Sequence, residues 1–345
     1  MNVLVTGGGG FLGRAIVTRL RARGDQVATL SRGRYPELAA LDVEEFRGDI
    51  LDQVLLQRAV QGRDAVIHTA AKAGFWGPTA EYWRVNVQGT QALLAACRQA
   101  GVPRLILTSS PSVVFDGRDL EGADESLPYP RTYSAPYPAS KAEAERLVLE
   151  ANDARLATVS LRPHLIWGPG DPHFLPRLVA RSRLGRLRQV GRSPKLVDCI
   201  YVDNAADAHL LALDRLNPGA RIAGRAYFLS QGEPIPIFEL INRILLAADA
   251  PPVTRTIPTW FAKLSGTVLE SCYLWLGLTR EPPMTRFLAR ELSSSHWFSI
   301  DAARRDLEFA PRVSIEEGFQ RLRSWAMGEG REILTMTENQ RAHFT

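Results

Sequence analysis

Cysteine and lysine are scarce in this chain of 345 residues. The three cysteines, Cys97, Cys199 and Cys272, stand far apart and form no CxxC pair. That spacing excludes a disulfide framework and a thiolate zinc site, so no metal is expected, and it points to a reducing, cytoplasmic setting. Lysine occurs only at Lys72, Lys141, Lys195 and Lys263, so the net charge of +5 is carried almost wholly by arginine. Basic residues interleaved with aromatics along one face are missing, which argues against a nucleic-acid partner. No apolar run reaches the ~18 residues that would suggest a membrane-spanning helix. No basic segment precedes the first apolar stretch, as a signal peptide would require. Repeats and low-complexity blocks are missing too. What remains is an ordinary globular composition, 45% hydrophobic and 23% charged, in a chain long enough for one large α/β unit or two lobes.

Glycine is placed with purpose at the N-terminus. The apolar run Val3-Leu4-Val5 leads through Thr6 into Gly7, Gly10 and Gly13, and Phe11, Leu12, Ile16, Val17 and Leu20 then recur at helical spacing. Strand, glycine turn and helix aim backbone N–H groups and a helix N-terminus at a pyrophosphate. Gly7 allows the tight turn, Gly10 lets phosphate approach the backbone, and Gly13 lets helix and strand pack closely. The second strand, Gln26–Leu30, runs into Ser31-Arg32-Gly33-Arg34. An NAD-preferring site usually ends this strand in a carboxylate for the ribose 2′-hydroxyl. Two guanidiniums suit a 2′-phosphate instead, so NADPH is the expected cofactor.

Further strands follow at Glu45–Ile50, Ala65–Thr69, Arg104–Ser110 and Leu156–Pro163. Together they imply a doubly wound parallel sheet. Asp49, beside Ile50, is either an acceptor for the adenine amino group or a helix cap. Ala70 and Ala71 are small enough for a cofactor to lie against the fourth strand's end. The loop Lys72–Pro78 places Phe75 and Trp76 either at a substrate mouth or as caps on the sheet. A helix from about Glu81 to Ala100 carries Asn86, and the fifth strand ends in the hydroxyls of Thr108, Ser109 and Ser110. The cluster Trp167–Pro172 is the best boundary, giving a nucleotide-binding domain over 1–170 and a mostly helical substrate lobe over 171–330, some of whose segments return to the sheet. Short strands are expected at Tyr201–Asn204 and Ala226–Ser230. The arginines from Arg177 to Arg192 form either a solvated face or an anion clamp. Ile257–Leu278 reads as a lid over a greasy substrate, a helix dipping into a membrane surface, or a core helix. A loose polar tail is expected over 331–345.

Tyr137 and Lys141 stand four apart at the start of a predicted helix, on one face. A phenol with an ordinary pKa of about 10 is a poor acid at neutral pH. A neighbouring ammonium is expected to bring it toward the working range.

At these residues the chain resembles an extended short-chain dehydrogenase/reductase, and within that superfamily the 3β-hydroxysteroid dehydrogenase branch. The motifs are Thr6–Gly13, Asn86–Thr90, Thr108–Ser110, Tyr137–Lys141, Arg162-Pro163 and Tyr201–Asn204, spanning residues 3 to about 210. More narrowly, Ala71–Gly77, Pro111–Gly117, His164–Asp171 and Glu281–Phe287 resemble the bacterial ketoreductases of long-chain olefin biosynthesis. That likeness implies NADPH-dependent reduction of a hydrophobic 2-alkyl-3-oxo acid to the 3-hydroxy acid. Carried over by resemblance, Tyr137 donates the proton, and Lys141 tunes it and holds the nicotinamide ribose. Ser110 binds the substrate oxygen, with Ser109 as its rival. Pro163 abuts the nicotinamide, and Asn86 orients cofactor or a relay water. The full cofactor-binding set is then Gly7, Gly10, Phe11, Leu12, Gly13, Ser31, Arg32, Arg34, Asp49, Ile50, Ala70, Ala71, Asn86, Thr108, Tyr137, Lys141 and Pro163. A homodimer through the Asn86 and Tyr137 helices, and a complex with enzymes of the same pathway, are also implied; membrane contact would be peripheral. The alternatives are an oxidoreductase of steroid 3β-hydroxyl groups and, from another class, a non-catalytic NADP-binding scaffold, which usually loses the Tyr-Lys pair. Two departures bear on this. Ser31 stands where NAD-preferring steroid enzymes carry an acid, and Ser109-Ser110 stand where sugar-nucleotide dehydratases carry Asp-Glu.

Overall fold

A computed structural model describes residues 1–335 except positions 173 and 279. Seven strands form the central sheet: β1 (Asn2–Thr6), β2 (Gln26–Ser31), β3 (Glu44–Arg47), β4 (Ala65–His68), β5 (Arg104–Thr108), β6 (Ala157–Pro163) and β7 (Arg225–Leu229). Their order is β7-β6-β5-β4-β1-β2-β3 and every neighbouring pair is parallel. The sheet is buried on both faces, which is why β1 and β4 read as continuous apolar runs. Alternation divides β1 between the layers. Val3 and Val5 pack with Ile16, Val17 and Leu20 of α1 (Phe11–Ala22), while Leu4 packs with Leu93 and Leu94 of α2 (Gly89–Ala100).

Helix α3 (Pro136–Glu150) lies on the α2 side, and α4 (Val202–Arg215) packs beside α1 on the other. Residues Tyr201–Asn204 are thus not a strand: only Ile200–Tyr201 is extended, and Val202 already opens α4. The alanines at 205, 206, 208 and 212 let that helix pack close, and all four are fully buried. The segments that return to the sheet after position 171 are α4, β7 and the helix Asp301–Leu307.

The second lobe has its own core, where Leu175, Val179, Leu240, Ile244, Phe319 and Leu322 meet. A four-stranded sheet of short strands bridges the lobes, ordering Ile235–Pro236, Leu196–Val197, His296–Phe298 and Leu120–Ala123. Helix α5 (Thr259–Trp275) buries only Ala262 and Gly266. Trp260, Leu264, Val268 and Trp275 remain exposed, so it is not a core helix. No helix among the described residues is long and apolar enough to cross a membrane. The expected tail begins later than 331, because Gly330–Thr335 form a helix whose Leu334 packs into the second core; positions 336–345 lie outside the described residues.

Candidate active site

The turn between β1 and α1 opens the crevice at the carboxyl ends of the strands. Gly7 sits at φ +71, and a Cβ there would lie 2.8 Å from the Ala70 backbone nitrogen. A Cβ on Gly13 would lie 2.2 Å from the Gly7 carbonyl oxygen, so helix and turn touch backbone to backbone. Gly10 caps α1 with no side-chain bond across the first turn, leaving the Phe11 and Leu12 end of the helix without a side-chain cap. A Cβ on Gly10 would meet only the Gly7 carbonyl, at 3.2 Å. This is a cradle that fits a pyrophosphate.

Around it lie the other expected cofactor residues. The Ser31 hydroxyl accepts the Gly9 N–H at 3.3 Å, and Arg32 and Arg34 are exposed just beyond. Asp49 does not cap the next helix; Asp52 does, by accepting the Leu55 N–H. Asp49 instead accepts the Leu51 N–H at 3.0 Å and pairs with Arg84 at 3.3 Å. Ile50 is buried beside it, against Gly89. Ala70, partly exposed, and Ala71, exposed, follow β4 at its end.

Asn86 lies in a π-helical turn, Trp83–Gln88, rather than in a regular α-helix. Its buried amide is already engaged: Oδ1 accepts the Lys72 N–H at 2.7 Å, while Nδ2 donates to the Lys72 carbonyl and to Ser140 Oγ at 2.9 Å. Asn86 therefore ties the loop after β4 to α3. His68, under that loop, sits between Thr6 Oγ1 and Thr90 Oγ1, and burial followed by the charge of Lys141 pushes it down to about 3.

Pro136 opens α3 and places Tyr137, Lys141 and Glu145 on one face at steps of four. The expectation that Lys141 acidifies Tyr137 is not met. Lys141 Nζ donates to the Thr108 carbonyl at 2.6 Å, and burial lowers it to about 8 although Glu145 opposes the fall. Tyr137 is instead raised to about 12, mainly by burial; the Ser110 hydroxyl lowers it, and Glu291 and Tyr82 raise it further. The phenol thus holds its proton throughout the neutral range.

Ser109 and Ser110 diverge, as adjacent residues at a strand end must. Ser110 turns toward the phenol and also touches Ser112 Oγ at 2.9 Å. Ser109 is buried toward Glu145. The Thr108 hydroxyl meets His209 Nε2 at 2.8 Å, so only its carbonyl faces Lys141. Pro163 ends β6.

Phe75 stands edge-on to Tyr137 with ring centres 6.1 Å apart and packs on Phe287 at 4.6 Å. Trp76 donates from Nε1 to the Leu278 carbonyl at 3.3 Å and meets the Tyr273 ring edge-on, so it joins this loop to the end of α5. Of the arginines after position 176, Arg177 pairs with Glu281 and Arg183 donates to the Leu334 carbonyl, so these two serve the second lobe's own structure. Four groups in or behind the site escaped the sequence reading as site residues: Glu145 behind Lys141, Phe287 against Phe75, Glu291, and His296 at the Glu291 carbonyl. Glu145 had a signal, the step of four from Lys141. The other three arrive from the second lobe, and no local spacing links them to Tyr137.

With this geometry, comparison with known proteins defines the class. Residues 4–257 match the model of the 3-beta hydroxysteroid dehydrogenase/isomerase family. The chain belongs to that family, whose members here are oxidoreductases acting on hydroxyl and keto groups. It is 51% identical to the 2-alkyl-3-oxoalkanoate reductase of Stenotrophomonas maltophilia over 94% of this chain and 99% of that one. It is 33% identical to the decarboxylating sterol-4-alpha-carboxylate 3-dehydrogenase of Mus musculus over 92% of this chain and 88% of that one. Among solved structures it is similar to the UDP-glucose 4-epimerase of Thermus thermophilus in complex with NAD, with TM-score 0.72 and 27% identity over 95% and 99% of the two chains.

Proposed function

We propose that this protein is an NADPH-dependent ketoreductase that converts a hydrophobic 2-alkyl-3-oxo acid to the 3-hydroxy acid. The observation that carries the reading is the protonated Tyr137 phenol beside Ser110, on the same helix face as Lys141, at the strand ends that also hold the glycine cradle. The reductase relative acts on a ketone one carbon from a carboxylate, and the sterol relative's name also sets a carboxylate beside the carbon that reacts. The epimerase holds NAD on the same fold, and the exposed Arg32 and Arg34 after Ser31 favour a 2′-phosphate.

When bound, the nicotinamide supplies the hydride that reduces the ketone carbon. Ser110 and Tyr137 hold the carbonyl oxygen by hydrogen bonds that strengthen as it becomes an alkoxide. Tyr137 then passes its phenolic proton to that oxygen. Lys141 keeps a positive charge beneath the site and is placed to grip a ribose. Phe75, Phe287 and Phe115 wall the crevice with rings and exclude water from the reacting carbon.

The test is turnover of a 2-alkyl-3-oxo acid with NADPH, set against a 3β-hydroxysteroid with NADP+. Tyr137→Phe is expected to lower turnover of the oxo acid by about 10²–10⁴-fold while NADPH binding persists. Turnover of the steroid alone would refute the substrate, and full activity in Tyr137→Phe would refute the proton donor.

A further inference from the structure

One aromatic ring beside the glycine cradle has no part in the binding set read from the sequence. Tyr35 directly follows Arg34, and its ring lies against two glycines from different segments. A Cβ on Gly9, in the turn between β1 and α1, would lie 2.0 Å from Tyr35 Cδ2 and 2.1 Å from Cε2. A Cβ on Gly33, between the two arginines, would lie 2.9 Å from the Tyr35 hydroxyl oxygen and 3.1 Å from Cε2. Neither glycine has a positive φ, so each supplies the missing Cβ and not backbone freedom. The ring therefore packs on bare backbone at both places and joins the glycine turn to the Arg32–Arg34 segment. Tyr35 is in turn anchored from behind. It precedes the short helix Pro36–Ala39, where the Leu38 N–H donates to the Tyr35 carbonyl at 2.9 Å. Leu38 is fully buried in the core that holds Ile16 and Val17 of α1, and Tyr35 packs against the same cluster. Glu37 pairs with Arg14 of α1 at 3.0 Å. At the other end of the segment, Ser31 Oγ accepts the Gly9 N–H, so β2 and the turn are tied a second time. Arg32 and Arg34 thus leave a backbone held at both ends beside the cradle, while both residues stay exposed.

We propose that Tyr35 is a specificity-determining residue for the coenzyme: its ring clamps the Arg32–Arg34 segment onto the glycine turn, ready for a 2′-phosphate. This role rests on the coenzyme being NADPH. Tyr35 is a positioning residue that acts through the two arginines, so its influence falls on the phosphate that NADH lacks. Arginine is rich in rotamers, and ordering it, together with the backbone that bears it, opposes binding. A segment already held in place avoids part of that cost. The preference for NADPH is thereby strengthened without any further contact to the coenzyme.

The experiment is fluorescence titration of the full-length protein with NADPH and with NADH, which requires no turnover. In Tyr35→Ala the Kd for NADPH should rise about tenfold, as expected when two arginine side chains must be ordered on binding, and the Kd for NADH should stay within about twofold. Tyr35→Phe keeps the ring on both glycines and should bind both coenzymes as the wild type does. With Arg32 and Arg34 both replaced by Ala, adding Tyr35→Ala should change the NADPH Kd no further, because the ring then has nothing to position. A loss in Tyr35→Ala that NADH shares equally would make the ring a support of the whole cradle, and overturns the proposal. An unchanged Kd for NADPH in Tyr35→Ala, or a full further loss in the arginine-free background, overturns it as well. A wild-type protein that binds NADH more tightly than NADPH would instead overturn the underlying NADPH reading.

Discussion

Removing Arg162 tests the foundation on which α3 stands. Glu145 is fully buried, and its carboxylate accepts from Arg162 at 2.6 Å, Tyr129 at 2.7 Å and Ser160 at 2.7 Å. Arg162 is itself 3% exposed, with its guanidinium over the Phe228 ring at 5.0 Å. In Arg162→Met the stem is replaced with similar volume, but the carboxylate loses the cation it pairs with directly. Breaking a buried pair in this way costs about 3–5 kcal/mol. At about 2 °C per kcal/mol for a large chain, Tm should fall by about 6–10 °C. The pH dependence gives a sharper signature. In the wild type, burial raises the Glu145 pKa but Arg162 outweighs it, so the folded value is lowered and the stability it adds is lost only in acid. In the variant burial is opposed by the hydroxyl donors and no longer by a paired cation, so the folded value is raised. The penalty is then present above the unfolded value of about 4.3 and vanishes below it. Calorimetry of both proteins from neutral pH down to about 4 should show the Tm gap closing. Adding Glu145→Gln to Arg162→Met should restore part of the loss at neutral pH. A neutral-pH drop under about 2 °C, or a gap that ignores pH, would refute a buried ion pair of this kind.

Other outcomes follow from single contacts. Gly13→Ala would put a Cβ 2.2 Å from the Gly7 carbonyl, so α1 must move away from the turn. A cost of about 1–3 kcal/mol is expected, read as a lower Tm and a raised KM for NADPH; an unchanged KM would mean that the turn is not the phosphate cradle. Replacing Arg32 and Arg34 by Ala should raise the KM for NADPH by about tenfold or more per lost charge-assisted bond and leave NADH unaffected. Equal effects on both coenzymes would remove the arginines from the 2′-phosphate site.

Much of this architecture was legible because its local rules agree. The run Val3–Val5, the glycines and the apolar positions of α1 each specify one element, and the elements meet as their spacings require. Where a local rule competed with a distant contact, the sequence misled. Val202 reads as a β-former, yet Tyr201 ends its strand because the alanines that follow pack α4 into the sheet's core. Asp49 resembles a cap, but Asp52 sits at the position that reaches the Leu55 N–H. The apolar α5 reads equally as a lid, a membrane-surface helix or a core helix, and only the tertiary structure rules out the last by leaving Trp260, Leu264, Val268 and Trp275 exposed.

The Tyr-Lys pair marks the limit of what spacing can say. A step of four fixes a shared helix face, but not where an ammonium points once a backbone carbonyl lies nearer. Thr108 supplies that carbonyl because β5 ends there, so Lys141 is drawn under the sheet's edge and away from the phenol. Burial does most to raise Tyr137; Ser110, two residues beyond Thr108, acts against it, and Glu291, far along the chain, adds to it. One influence belongs to the strand end that any reader of the sequence would examine. The other comes from the helix Arg286–Glu291, which lays Phe287 on Phe75, a contact between lobes. The surroundings of the phenol are therefore a property of how the two lobes meet, since Phe287 from the second lobe packs on the Phe75 ring that stands edge-on to Tyr137.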